Sequence, residues 1–289
     1  MKFVTRNLLA LAVSAVGASF AFSAQATTIQ ITVTNNQASG GLAITPLYTA
    51  FHDGSFDAFD LGGTASAGLE LIAETGMPRG VLPDNTPFGI AVEREAQLPN
   101  SQGTVIAAGA PMTSNPPPIQ PGETGSTTLH VDANSAVYFT FLSMLLPSND
   151  HFIGNDNPLA YQLFDDAGNF TGNRTINVTG AQIYDAGTEA NGLTGAAFIQ
   201  GADITASPAG EGTIQQGIPL SSELFGPDVL LATGDTLNPS LIDFTSNPGA
   251  FNLLTIEISE LAPVPLPASA PLLLGALGLI GWRSRRKAA

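Results

Sequence analysis

Short apolar runs separated by turn-forming residues set the rhythm of this chain, and most of the runs have a period of two. In Thr28–Asn35 the apolar Ile29, Ile31 and Val33 alternate with polar neighbours, the pattern of a half-buried strand. Thr45–Asp53 reads as a second strand, with Pro46 at its start, where a missing N–H is tolerated. Residues 64–75 break the alternation. Ala67 and Leu71, with Ala65, Leu69 and Ile72, can share a helical face while Glu70 and Glu74 point outward. Thr64 or Ser66 can cap the start, and Gly76 follows as a C-cap. Residues 77–126 are rich in Pro, Gly and Asn and read as irregular connections with one short strand near Val105.

Thr127–Val131 and Ser135–Leu146 are expected to form a hairpin around Asp132, Ala133 and Asn134. In the second run Val137, Phe139 and Phe141 alternate with Tyr138, Thr140 and Leu142, so both faces are apolar enough for a central strand. Leu159–Phe164 and Arg174–Tyr184 follow as strands, with Asp165–Asn169 as a turn between them. Residues 190–250 are loop-rich, with a weak apolar run at Val229–Leu231. Phe251–Ser259 is the last strand. The expected architecture is all-β, an antiparallel β-sandwich with one short helix over residues 27–260.

The two ends differ from this core. Lys2 and Arg6 precede an apolar stretch from Leu8 to Phe22, and Ala24-Gln25-Ala26 forms an A-x-A cleavage site. Residues 1–26 therefore read as a secretory signal peptide cut before Thr27. Residues 261–289 carry Val264-Pro265-Leu266-Pro267-Ala268, then an apolar run to Trp282 and the basic Arg283, Arg285, Arg286 and Lys287. This tail resembles the PEP-CTERM class of bacterial sorting signals in its V-P-L-P-A form, with Leu266 where the commoner version has Glu. The resemblance implies a membrane helix over about 268–282, a little short of the roughly 20 residues that span a bilayer. Its basic end stays cytoplasmic. It also implies processing by an exosortase-type transpeptidase, which would leave the domain at the surface or in the matrix of a Gram-negative bacterium. The alternative is a plain tail anchor.

Composition fits export. Apolar residues make up 44% of the 289 positions, enough for a substantial core, and charged residues only 11%. There is no cysteine, so disulfides contribute nothing despite the export signal. Six of the nine basic residues lie in the two terminal segments. Arg79, Arg94 and Arg174 alone face 24 acids in between. Such a surface repels nucleic acid, attracts divalent cations and aids solubility.

Two stretches place acids where they could meet. Phe141–Pro158 and Tyr184–Glu189 each begin as an apolar β-like run and stop at acidic, Gly- or Asn-containing turn residues. Carboxylates at such points are free of ladder geometry and can converge on a cation. Both segments resemble the spondin domain, a secreted β-sandwich module in which S-x-x-P-S-x-D-x-F-x-G closes one strand and Y-D-A-G-T-[DE] another. The first pattern runs here from Ser143 to Gly154, and the second from Tyr184 to Glu189. The first strand, and the "A-S-x-G-L" start of the helix, are also similar to that family. The resemblance implies a metal site at Asp150, Asp185 and Glu189, with Glu189 where animal spondins commonly have Asp. Three hard oxygen donors without cysteine suit Ca²⁺ better than Zn²⁺, with carbonyls or water completing six to eight ligands. On this reading Asp185→Ala lowers the melting temperature only when Ca²⁺ is present.

Catalytic patterns are sparse. The histidines are His52, His130 and His151, and there is no G-x-S-x-G elbow, H-E-x-x-H pair or phosphate-binding glycine loop. The expectation is a non-catalytic adhesion-type module, stabilised by Ca²⁺, whose partner is a surface protein or polysaccharide. Two alternatives stay open. One is a polysaccharide- or ester-processing enzyme using paired carboxylates. The other is a carbohydrate-binding module, for which Trp282 and four tyrosines offer few stacking platforms.

Overall fold

The computed structural model describes residues 27–76, 118–133, 137–192, 194–203, 208–210, 212–217, 229–231 and 233–262, with three short strands between residues 80 and 106. The signal-peptide residues Ala24 and Ala26, the sorting motif Val264–Ala268 and the apolar tail lie outside the described residues. Among the described residues no helix is long and apolar enough to cross a membrane.

Thirteen strands form three antiparallel sheets among these residues. The first, in spatial order, joins β10 (Arg174–Thr179), β13 (Asn252–Glu260), β1 (Thr27–Asn35) and β7 (Thr124–Val131). The second joins β12 (Gln215–Gln216), β11 (Ile183–Asp185), β9 (His151–Gly154), β8 (Tyr138–Leu146), β3 (Leu47–His52) and β6 (Gln102–Ile106), with β2 (Ala43–Ile44) also on β8. A separate ribbon pairs β4 (Gly80–Val81) with β5 (Pro87–Phe88).

The period-two pattern sorts side chains into layers. Ile29, Ile31 and Val33 of β1, with Ile256 and Ile258 of β13, face Phe51 of β3, Phe139 and Phe141 of β8, Ile153 of β9 and Ile183 of β11 in one continuous core between the two large sheets. The alternate residues of the second sheet point the other way. There Tyr48, Ala50, Leu142, Phe152 and Tyr184 meet Phe56 and Phe59 and the helix α1 (Ala67–Thr75). β8 is apolar on both faces because it lies between the sandwich core and the helix. The molecule is thus an antiparallel sandwich with a third, helical layer over the outer face of one sheet.

The helix is placed by its ends. Ser66 caps it, its hydroxyl accepting from the Leu69 N–H, and Gly76 closes it at φ 65°. Gly76 sits so close to Thr45 that an added Cβ would overlap the Thr45 side chain. Leu69 and Ile72 of the predicted face are buried together with Ala73, whereas Ala67 is exposed and Leu71 half-buried, because the face that meets the sheet is rotated from the predicted one. Glu70 is exposed, but Glu74 is half-buried rather than outward.

Three expectations need correction. β7 and β8 are not a hairpin: β7 pairs with β1 in the first sheet, while β8 pairs with β3, β9 and β2 in the second. Proximity in sequence hid the sheet change. Leu159–Phe164 is not a strand; Gln162 and Phe164 make isolated bridges only. The run Arg174–Tyr184 is two strands. A 3₁₀ turn at Gly180–Gln182, capped by Thr179, carries the chain from the first sheet to the second. Gly180 is needed there, because a Cβ would run into the Phe244 carbonyl. The strand near Val105 is present as β6, the last strand matches its predicted bounds to within a residue, and Asp165 organises the expected turn by accepting from the Ala167 and Asn169 N–H groups.

Candidate metal centre

The site lies at one end of the second sheet, where the turn after β8 and the loop after β11 meet. Their meeting follows from the ladder. β9 pairs with β11 so that His151 lies opposite Asp185, and the Ala186 N–H donates to the Asp150 carbonyl at 3.2 Å. The β8–β9 turn is tight. The Leu146–Pro147 peptide is cis, the Ser148 hydroxyl donates to the Leu145 carbonyl at 2.6 Å, and the His151 N–H donates back to Ser148 Oγ at 3.2 Å. The Asn149 amide reaches the Ala190 carbonyl at 2.7 Å, tying this turn to the second loop.

Asp150 and Asp185 act first as loop organisers. Asp150 Oδ2 accepts from the Thr188 and Glu189 N–H groups, both at 2.9 Å, and from the Thr188 hydroxyl at 3.3 Å. Asp185 Oδ1 accepts from the Gly187 N–H at 2.7 Å, and its Oδ2 from the Asn191 amide at 2.9 Å. Gly187 adopts φ 65°, which turns the backbone so that successive N–H groups face inward. The loop is buttressed from behind: the Gly212 N–H donates to the Gly187 carbonyl at 2.7 Å, and Glu189 bridges to Ala209.

These bonds leave one oxygen over. Asp150 is fully buried, yet its Oδ1 has no hydrogen-bond partner among the described residues. Asp150, Asp185 and His151 each place one donor atom within 4.8 Å of the others. His151 is buried too. Its Nδ1 lies 3.9 Å from Asp150 Oδ1 and its ring makes an edge contact with Phe244. Burial, then repulsion from Asp185 and more weakly from Glu189, pushes the Asp150 carboxyl up to about 7 despite its three hydrogen bonds. A buried carboxylate with an orphaned oxygen and carboxylate neighbours is a place where a cation relieves both desolvation and repulsion. The residues present therefore fit a divalent ion.

The structure brings Asp150 and Asp185 together as expected. Glu189 is close enough to bias Asp150 and lends it a backbone N–H, but its carboxylate falls outside the compact three-residue group. His151 takes that place. No strand is predicted here from the sequence; in the fold His151 is on β9, two residues before the core residue Ile153. Asp156 lies elsewhere and accepts from the Leu61 N–H at 3.0 Å. His52, the other buried histidine, accepts from the Gly54 N–H through Nδ1 and contacts Thr140 through Nε2. Burial lowers its pKa to about 4, so it is a neutral core residue.

The bonds to Asp185 revise the expectation for Asp185→Ala. The substitution removes two loop-holding bonds at once, so the melting temperature falls in chelator as well as in Ca²⁺. Asp185→Asn keeps an oxygen for the Gly187 N–H and is the cleaner probe. It gives up only the bond from the Asn191 amide, so it should cost less in chelator than Asp185→Ala and still reduce the Ca²⁺ response, as differential scanning fluorimetry of both variants would show.

The molecule is thus an antiparallel sandwich with carboxylate-bearing loops gathered at one end of its second sheet. The Spondin_N family profile matches residues 38–208, more than half of the chain, and the chain belongs to that family. The match covers both acidic segments and the helix, and it sets the domain among extracellular modules. A search of the curated proteins finds no match to the chain.

Proposed function

We propose that this protein is an exported, non-catalytic surface or matrix adhesion module whose acidic loop end is fixed by Ca²⁺ held between Asp150 and Asp185. The observation that carries the metal reading is the buried Oδ1 of Asp150, without a hydrogen-bond partner among the described residues, on a side chain grouped with Asp185 and His151. Asp150 and Asp185 would be direct ligands. Glu189 would add charge and a backbone donor, and His151 would line the site. Bound Ca²⁺ neutralises the repelling carboxylates and stabilises the loops by mass action, because it binds the folded chain and hardly the unfolded one.

Burial supports the non-catalytic reading. Asp150 and His151 have no exposed surface and Asp185 has 2%, so no polymeric or ester substrate reaches these groups as acid, base or nucleophile. The loops around the site, rather than the site itself, would present the partner-binding surface. That partner is a surface protein or an exopolysaccharide. The membrane helix, exosortase-type processing of Val264–Ala268 and a Gram-negative surface location belong to the same proposal and rest on the tail sequence alone.

The test is a thermal melt of the purified protein with Ca²⁺, with Mg²⁺, with Zn²⁺ and with chelator. The reading expects a rise of several degrees with millimolar Ca²⁺ and less with Mg²⁺, which demands a smaller octahedral shell. A response to Zn²⁺ alone would instead assign the ion to the His151 nitrogen and overturn the Ca²⁺ reading.

A further inference from the structure

Three loop segments come together beside the first sheet and enclose a polar cleft of about 110 Å³. They are residues 38–41 after β1, residues 119–122 before β7, and the turn at residues 230–236. The cleft is fastened from inside. Buried Asn35 donates from its side-chain amide to the Leu42 and Ile119 carbonyls, at 3.0 and 3.1 Å, which holds the first two segments together. The third segment closes on itself, the Leu231 N–H donating to the Asp235 carbonyl at 2.9 Å. It meets the first where the Asn238 N–H donates to the Gly40 carbonyl at 2.8 Å. It is also tied to the acidic end of the molecule. Ile199 bridges to Leu231, and the Ala197 N–H donates at 2.8 Å to the carbonyl of Ser148, in the turn that carries Asp150.

The lining combines a little apolar surface with polar groups that the fold does not use. Buried Leu231 and Pro121 supply the apolar part. Ser39, Gln120, Thr233 and Asp235 supply two hydroxyls, an amide and a carboxylate. Among the described residues, the Ser39 hydroxyl, the Gln120 amide and the Asp235 carboxylate form no hydrogen bond within the protein.

These groups discriminate between ligands. An ammonium group only donates and a carboxylate only accepts, whereas this lining offers donors and acceptors side by side. Asp235 is the only charged residue of the lining, and the Glu123 carboxylate lies next to it in the second segment, accepting from the Gln120 N–H at 2.8 Å. Anionic ligands are therefore repelled. A sugar ring meets each condition, because its hydroxyls both donate and accept and its C–H faces suit Leu231 and Pro121. The cleft is well below the roughly 300–1,000 Å³ of pockets that engulf larger ligands, so it takes one ring rather than a length of chain.

We propose that this cleft binds a single non-acidic sugar residue, an end or a branch of a polysaccharide, and is where the module grips its partner. This rests on the reading of the protein as a surface or matrix binding module, and it does not require the ion.

Saturation-transfer NMR on the purified full chain tests the assignment. The probes are glucose, galactose, mannose and N-acetylglucosamine, with glucuronic acid as an acidic counterpart and lysine amide as a purely donating one. At least one neutral sugar should bind with roughly millimolar affinity, and glucuronic acid should not. Asp235→Asn keeps the size of the side chain but loses the charged acceptor, so that sugar should bind about fivefold more weakly or worse. Ser39→Trp fills the cleft from its exposed rim and should abolish binding. Neither change removes a hydrogen bond of the fold, so both variants should melt within about 2 °C of the parent. Sugar binding that both variants retain overturns the assignment, as does binding of lysine amide without any sugar. Binding of no sugar at all overturns it too, and retention on cellulose, dextran or alginate beads then separates the two readings. A parent that is retained has lost only the cleft, whereas one that is not loses the polysaccharide-binding reading with it.

Discussion

Asp150→Asn should abolish the Ca²⁺-dependent rise in melting temperature and leave the metal-free protein as stable as the parent or more so. The side-chain oxygen of asparagine can still accept from the Thr188 and Glu189 N–H groups, so the loop keeps its anchor. The amide replaces the orphaned Oδ1 and removes the repulsion with Asp185. A purely structural aspartate would behave otherwise, because losing it would lower stability with or without the ion.

The same variant exposes a pH dependence. In the folded protein the Asp150 carboxyl titrates at about 7, above its ordinary 3.8. A raised carboxyl pKa stabilises the folded state fully below the unfolded value and loses that contribution as pH rises to about 7, at about 1.4 kcal/mol per pH unit in between. His52 works in the opposite direction. Its folded pKa of about 4 against 6.5 means that its contribution is present above pH 6.5 and lost on acidification. The parent's own profile therefore mixes two opposed slopes. His52 is common to parent and variant, so the difference between their melting temperatures in chelator isolates Asp150. That difference should grow in favour of Asp150→Asn from pH 5 to pH 8. A flat difference would show that Asp150 titrates as an ordinary carboxylate.

Gly187→Ala should be the most damaging single methyl group in the loop. Gly187 has φ 65°, a conformation that costs an L-residue roughly 1–2 kcal/mol. In addition, an added Cβ would overlap the Thr213 carbonyl oxygen, which the backbone cannot easily yield because Gly212 is itself bonded to the Gly187 carbonyl. The combined loss is about 3 kcal/mol or more, a fall of roughly 6–12 °C in melting temperature for a domain of this size. The Ca²⁺ response should shrink with it, because the turn that aims the Thr188 and Glu189 N–H groups at Asp150 is lost. Gly122→Ala is the control: it also has positive φ, but nothing lies within 4 Å of its added methyl, so its effect should be the conformational cost alone. Thermal melts of the two variants side by side separate strain from overlap.

Much of this arrangement was legible from residue order. The alternation in β1 and β13 locates two neighbouring strands of the first sheet, and the doubly apolar β8 announces a strand covered on both sides. Gly76 marks the helix end to the residue, while the start, open between Thr64 and Ser66 in the sequence, is set by Ser66. The grouping of Asp150 with Asp185 comes from the resemblance of the two acidic segments to the spondin motifs, since the residue pattern alone shows only that both acids follow apolar runs at turn residues. What the sequence could not convey was which sheet each strand joins. The step from β7 to β8 looks like a hairpin because only the register of distant β1 reveals that β7 belongs elsewhere. Helical periodicity likewise assigns Glu74 to the solvent side, whereas the fold leaves it half-buried. His151 reads from the sequence as a residue flanking the metal loop rather than a base, and the turn at Ser148 lets it and Asp150 reach the same buried region.

The claim that an ion sits between Asp150 and Asp185 is tested most directly by a crystal structure grown with Ca²⁺ and repeated with a lanthanide for anomalous scattering. The account predicts one strong anomalous peak bonded to Asp150 Oδ1 and to an Asp185 oxygen, at about 2.3–2.6 Å in the Ca²⁺ form. A strong peak elsewhere on the acidic surface, with Asp150 and Asp185 making only the loop bonds described above, would contradict it.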